Sequence, residues 1–310
     1  MNHRSVASRP PYRGRFAPSP SGPLHFGSLV AALASYCDAR ANGGSWFVRI
    51  DDIDLPRSRP AAEAAILAML EHYGFAWDGE VRRQSERTET YAAALERLRA
   101  DGAVYECACS RRELEIAPVG PGGERVYPGT CRSGISEDLR PRSQRSWRVC
   151  VSEARIEFRD RLFGMQAQDL ARDVGDFVVK RADALHAYQL AVVVDDALQD
   201  VTHVVRGADL LSSTPRQIFL QCLLGYPPLS YLHVPVAVDA VGEKLSKQTN
   251  AAPLPEDALP ALIAAWRFLR QPLPERSEAP TSVTEFWLWA IAAWSPARLP
   301  GVFGLEAPGG

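Results

Sequence analysis

Tyr12 to Ala17 has the short, largely apolar character of a strand, and Pro18-Ser19-Pro20-Ser21-Gly22-Pro23 breaks it with consecutive turn formers. From Ser28 to Ala41 the apolar positions Leu29, Ala32, Leu33 and Tyr36 recur at helical spacing, until Asn42-Gly43-Gly44 stops the pattern. Trp46 to Ile50 predicts a second strand. Strand, helix and strand in that order predict a βαβ unit, hence a parallel pairing with a right-handed crossover. Two further helices are expected over roughly Ala61 to Tyr73 and Arg87 to Ala100.

Glu106 to Arg148 changes character, being rich in Arg, Gly, Pro and Ser, and predicts an insertion poor in regular structure. The α/β pattern resumes with Phe177 to Arg181, the apolar run Leu190 to Val194, and Val201 to Arg206. A helix near Thr214 to Leu224 and a strand at His233 to Val238 follow. From Pro253 the chain reads as helical, with Trp266, Trp287, Trp289 and Trp294 expected to pack on the core. The expected organisation is a poorly ordered lead-in over 1–11, catalytic halves over 12–105 and 151–248, an insertion over 106–150, and a short helical region over 249–310.

Composition narrows the class. With 46% hydrophobic and 23% charged residues the chain is an ordinary globular protein. No run of roughly eighteen apolar residues indicates a membrane span, and the polar stretch Met1 to Pro11 lacks a signal-peptide core. Cys37, Cys107, Cys109, Cys131, Cys150 and Cys222 are too scattered for a disulfide framework. A reducing cytoplasm fits them, with Cys107, Cys109 and Cys131 as candidate ligands for Zn2+, which favours soft thiolates. A net charge of −2 neither announces nor excludes a nucleic-acid partner.

Lysine is scarce. Of 35 cationic residues only Lys180, Lys244 and Lys247 are lysines. Two of the three stand three positions apart after a predicted strand, where compact, mobile ammonium groups can both reach a polyphosphate. At the other end of the chain His25-Phe26-Gly27-Ser28 lies where a strand turns into a helix. Its glycine allows close approach of a ligand, and the helix N-terminus favours anions.

Together these segments resemble the two signature motifs of class I aminoacyl-tRNA synthetases, His25 to Ser28 the first and Lys244 to Gln248 the second. The resemblance is closest to the glutamyl and glutaminyl subgroup. It is carried by Arg15-Phe16-Ala17-Pro18-Ser19-Pro20, Arg49-Ile50-Asp51-Asp52-Ile53-Asp54, Tyr188 to Asp196, and His203 to Leu211, spanning about Arg13 to Gln248.

The resemblance implies a Rossmann-type α/β catalytic core with a parallel sheet. It also implies a glutamate site formed by Arg15, Phe16, Ala17, Pro18, Ser19, Asp51, Tyr188 and Arg206. Arg15 and Arg206 would each grip a carboxylate through paired hydrogen bonds, and Asp51 the ammonium. ATP, with Mg2+, would be bound by His25, Gly27, Ser28, Lys244 and Lys247, of which His25, Lys244 and Lys247 would be catalytic. One departure is Asp51, where the subgroup usually has Glu. Only about sixty residues follow Gln248, too few for an anticodon-reading domain.

That layout resembles the glutamyl-queuosine tRNA(Asp) synthetases. Resemblance to that branch adds Tyr127 to Cys107, Cys109 and Cys131 as a zinc ligand. It implies transfer of L-glutamate to queuosine in tRNA(Asp) by a protein expected to be a monomer. Separately, arginines of the Arg111 to Arg148 segment, Arg140, Arg142 and Arg145 among them, are expected to face the tRNA. Two alternatives share the same residues: a compact glutamyl-tRNA synthetase acting on a 3′ end, and a non-catalytic module binding glutamate or its adenylate.

Overall fold

A computed structural model of the protein describes residues 11–54, 58–245, 252–275 and 279–308. The first half runs β1 (Arg13–Phe16), α1 (Phe26–Ala41), β2 (Ser45–Ile50), α2 (Pro60–His72), β3 (Arg82–Arg83) and α3 (Thr88–Ala100). The insertion gives β4 (Val104–Cys107), α4 (Arg111–Leu114) and β5 (Ser146–Val149). Then come β6 (Arg155–Asp160), β7 (Gly164–Asp169), α5 (Leu170–Asp173), β8 (Val178–Lys180), α6 (Tyr188–Leu198), β9 (His203–Gly207), α7 (Thr214–Leu223), β10 (Ser230–Val234) and β11 (Val236–Val238). The chain closes with α8 (Ala258–Phe268), α9 (Val283–Ala293) and β12 (Gly304–Glu306).

The expected βαβ unit is present. β1 pairs parallel to β2, Arg13 opposite Ser45 and Phe16 opposite Val48, and α1 forms the crossover. α1 stops because Gly43 takes a left-handed φ of +63° and Gly44 packs too close to Tyr12 for a side chain: a Cβ there would lie 2.5 Å from the Tyr12 carbonyl oxygen. β1, β2 and β3 form one sheet; β9, β10 and β6 run parallel in another, with β7 antiparallel at its edge. The Thr202 amide donates to the Arg13 carbonyl at 2.9 Å, so the two sheets meet along β1.

Two sequence expectations change. Val178–Lys180 pairs antiparallel with β5, so it extends the sheet of the insertion instead of the parallel one. The expected strand from His233 to Val238 is two strands, interrupted at Pro235. Proline has no N–H to give a ladder, and β11 leaves to pair with β12. The run Leu190 to Val194 lies in helix α6, buried on all sides.

The tryptophans pack as expected. Trp266, Trp287 and Trp294 are buried with Trp46, and Trp289 lies against them. Tyr36 of α1 meets Trp287 edge-on at 4.8 Å and Trp46 at 5.0 Å, which docks α9 on the βαβ unit. The buried indole N–H groups have acceptors: Trp287 donates to the Tyr73 carbonyl, Trp294 to Asp38 and Trp46 to Ser35. Among the described residues no helix is long and apolar enough to cross a membrane.

Candidate active site

A cavity of about 580 Å³ opens beyond the C-terminal ends of β1, β2 and β9, where open α/β sheets take their ligands. Every described residue expected to bind glutamate or ATP lines it. Arg15, Phe16, Ala17, Pro18, Ser19, Asp51, Tyr188 and Arg206 share its walls with His25, Gly27, Ser28 and Lys244. Lys247 lies outside the described residues.

Among the residues expected to bind ATP, α1 begins with the Leu29 amide bonded to the His25 carbonyl and carries no acidic residue in its first turn. Its N-terminal amides and dipole therefore meet an anion without local repulsion. Lys244 is held in place by a turn: Asp239 accepts the amides of Val241 and Glu243, and the Lys244 ammonium reaches Asp209 at 2.5 Å. A polyphosphate would compete with Asp209 for this lysine.

The residues expected to bind glutamate depart from expectation in one respect. Arg15 and Arg206 are not open forks. Arg15 gives its Nε and Nη2 to Asp196 at 3.2 and 3.3 Å. Arg206 gives Nε to His233 Nε2 at 3.1 Å and Nη2 to Thr214 Oγ1 at 2.9 Å. Both are buried, and an unpaired guanidinium there would cost several kcal/mol, so the protein engages most of each fork itself. Each can offer a ligand one corner. For Arg206 that corner is Nη1, which is buried and has no hydrogen-bond partner among the described residues.

Behind the cavity lies a network whose role the sequence left open. Arg49 donates to Asp51 at 2.6 Å, to Asp196 at 2.7 Å and to Gln199 at 3.1 Å, and lies 3.7 Å from Asp195. Asp195 also accepts from Arg87, Tyr91 and Gln84. Burial disfavours charge on Asp196, but Arg15 and Arg49 outweigh it and hold the carboxyl below its usual range. Burial wins at Asp51, pushing its carboxyl up to about 6 despite Arg49. Only the adjacency of Asp195 and Asp196 on an otherwise apolar run signalled this network in the sequence.

The insertion carries a second cluster. The sulfurs of Cys107, Cys109 and Cys131 lie within 4.8 Å of one another, Cys109 and Cys131 at 3.7 Å. The Tyr127 hydroxyl is 3.3 Å from Cys107 Sγ and 3.6 Å from Cys109 Sγ, and it accepts the Cys131 amide at 2.9 Å. Tetrahedral zinc with Zn–S of about 2.3 Å separates its donors by roughly 3.5–3.8 Å. The donor set fits that ion. Arg148, its Cζ 3.9 Å above the Tyr127 ring, places a cation behind the thiols. Of the arginines expected to face tRNA, Arg142 is held bidentate by Glu113 at 2.6 and 2.9 Å, and Arg145 donates to the Arg140 carbonyl.

Residues 12–273 match the family of class I tRNA synthetases for glutamate and glutamine, catalytic domain. The chain is 56% identical over 304 residues to a protein of Aromatoleum aromaticum named glutamyl-Q tRNA(Asp) synthetase, covering 97% of this chain and 94% of that protein. It is 54% identical to one of the same name from Thiobacillus denitrificans, covering 93% and 94%. A glutamate tRNA ligase from Elizabethkingia meningosepticum, solved with its amino acid, superposes with a TM-score of 0.79 at 23% identity, over 96% of this chain and 67% of that one. The chain belongs to the class I tRNA synthetases of the glutamate and glutamine subgroup and carries their catalytic domain.

Proposed function

We propose that the protein activates L-glutamate with ATP and transfers the glutamyl group to queuosine in tRNA(Asp). The observation that carries activation is that one cavity is lined by Arg15, Arg206 and Asp51 together with Lys244 and the N-terminus of α1. The acceptor rests on the relatives, which are named for it at 56% and 54% identity over nearly the whole chain.

The glutamate α-carboxylate attacks the α-phosphorus of ATP, the bond to the β-phosphate oxygen breaks, and pyrophosphate leaves. The N-terminus of α1, His25, Lys244 and Lys247 stabilise charge on the phosphates as it develops. Magnesium bound with ATP neutralises part of the same charge. A hydroxyl of the queuosine cyclopentene then attacks the glutamyl carbonyl carbon. An ester bond forms, the acyl–phosphate bond breaks, AMP leaves with the electron pair, and the hydroxyl proton passes to the departing phosphate. Arg15 and Arg206 orient the carboxylates, each through its open corner, and a glutamine side chain would leave such a buried cation unmatched.

Glutamate transfer to queuosine-containing tRNA(Asp) lacking its 3′ adenosine tests this reading. Label on that tRNA, and none on the same tRNA with guanine at the position, supports the base as acceptor. Label requiring the intact 3′ end rejects it in favour of a compact glutamyl-tRNA synthetase.

In this reading Asp51 holds the ammonium, and only its ionised form does so. Glutamate affinity is then full well above pH 6, where the carboxyl is charged, and is lost as pH falls through about 6. The loss is about tenfold per pH unit below that. Calorimetric titration from pH 5 to 8 measures it, and Asp51→Asn should bind weakly at every pH without that slope.

The insertion, over 106–150, is proposed to hold one structural zinc on Cys107, Cys109, Tyr127 and Cys131. Elemental analysis should find one zinc per chain. Cys131→Ser should retain under about a tenth of it after dialysis and melt about 5 °C lower or more. Full zinc content in the serine variant would remove Cys131 from the ligand set.

A further inference from the structure

A second cavity, of about 250 Å³, lies beside the first and has no role in the chemistry above. Asp209 lines both. A second link is the backbone: the Val236 amide donates to the Phe303 carbonyl at 3.0 Å, with Val236 on the wall of the large cavity and Phe303 on the wall of the small one. The two spaces are therefore neighbours across one carboxylate and one strand edge.

The walls of the small cavity are chemically specific. Phe158 is braced edge-on against Tyr231 at 5.8 Å, while Phe303 is 56% exposed and leaves ring surface open to a ligand. Gln168 brings a buried Oε1 without a hydrogen-bond partner among the described residues. Ser212 adds a hydroxyl. Among the described residues that line it there is no Lys, Arg or His, so the cavity has no cation to offer a phosphate. Two ring faces, an amide acceptor and one carboxylate match a planar heterocycle that donates N–H groups and carries positive charge on a side arm.

Given the acceptor reading above, on which this step rests, we propose that the small cavity seats the 7-deazaguanine base of queuosine. Phe303 and Phe158 take its ring, and Gln168 Oε1 accepts from its Watson–Crick edge. The aminomethyl arm runs past Asp209, which takes its secondary ammonium, and so delivers the cyclopentene diol into the large cavity. Asp209 thus serves both steps: it holds Lys244 before ATP binds and the base's cation once the lysine has turned to phosphate.

Phe303→Ala and Gln168→Leu test the assignment against two reactions of the same protein. Both variants should keep glutamate-dependent ATP–pyrophosphate exchange within about twofold, while kcat/KM for queuosine-containing tRNA(Asp) falls roughly tenfold to a hundredfold, the scale of one lost base stack. Free queuine should inhibit transfer by the unsubstituted protein and lose that effect with Phe303→Ala. Transfer retained within twofold in both variants overturns the assignment. So does an equal fall in exchange, because the residues would then be supporting the fold. Exchange without any transfer to queuosine-containing tRNA by the unsubstituted protein overturns the acceptor reading, and the assignment falls with it.

Discussion

Asp196→Asn is expected to lower the free energy of unfolding by about 3–5 kcal/mol, the cost of breaking a buried ion pair from one side. Asparagine has nearly the same shape, so the effect isolates charge. The Asp196 carboxylate is buried and accepts Arg15 Nε, Arg15 Nη2 and Arg49 Nη1 at 3.2, 3.3 and 2.7 Å. In the variant one acceptor becomes an NH2 group facing a guanidinium, and two buried cations share less negative charge. Asp195 replaces it only in part, since it lies 3.7 Å from Arg49 and makes no hydrogen bond to Arg15 among the described residues. Successive residues on a helix point about 100° apart, and Asp195 faces Arg87, Tyr91 and Gln84. Thermal unfolding should show a midpoint lowered by roughly 5–8 °C. Glu157→Gln, which breaks the exposed pair with Arg155, should leave the midpoint within about 1 °C. A loss below about 1 kcal/mol for Asp196→Asn would mean that the guanidiniums are compensated elsewhere.

This network also marks where sequence reading ends. β1, α1 and β2 were legible because local signals coincide there: helical spacing, proline and glycine punctuation, and a strand on either side. Arg15, Asp51, Tyr188 and Arg206 were legible through resemblance, and the structure brings them to one cavity. Their partners were not. Arg15 and Asp196 are 181 positions apart and Arg49 and Asp196 are 147 apart, so only the packing of α6 under the sheet reveals that they meet. Helix α6 itself gave no periodic signal because it is buried on every side, and its valines suit a strand equally well. The β6–β7 hairpin escaped notice because its outer face is exposed, its apolar positions few, and its turn built on Asp160 accepting the amides of Leu162 and Phe163.

That hairpin bears on the proposed glutamate site through His233, for which the second large effect is expected. Asp160 Oδ2 accepts the Nδ1 proton of His233 at 2.7 Å, which fixes the tautomer and leaves Nε2 as an acceptor for Arg206 Nε. Burial holds the imidazole below its usual pKa; the Asp160 bond opposes this and the nearby Arg206 adds to it, so the ring is neutral at pH 7. A protonated ring would point a donor at a cation. His233→Leu fills the space but offers no acceptor. Arg206 Nε is then unsatisfied in the interior, and the guanidinium turns from the position in which Nη2 meets Thr214 and Nη1 is left unpartnered among the described residues. The loss of a hydrogen bond to a charged group, about 1.5–3 kcal/mol, predicts a KM for glutamate raised roughly 10- to 150-fold with the KM for ATP unchanged. His233→Gln restores an acceptor and should recover most of the affinity. The sign of the pH effect on stability follows from the lowered pKa: as pH falls from about 6.5 the unfolded chain takes up this proton first, so stability is lost on acidification. Equal rises in both KM values, or no recovery with glutamine, would show that His233 supports only the packing around β10 and does not set the position of Arg206.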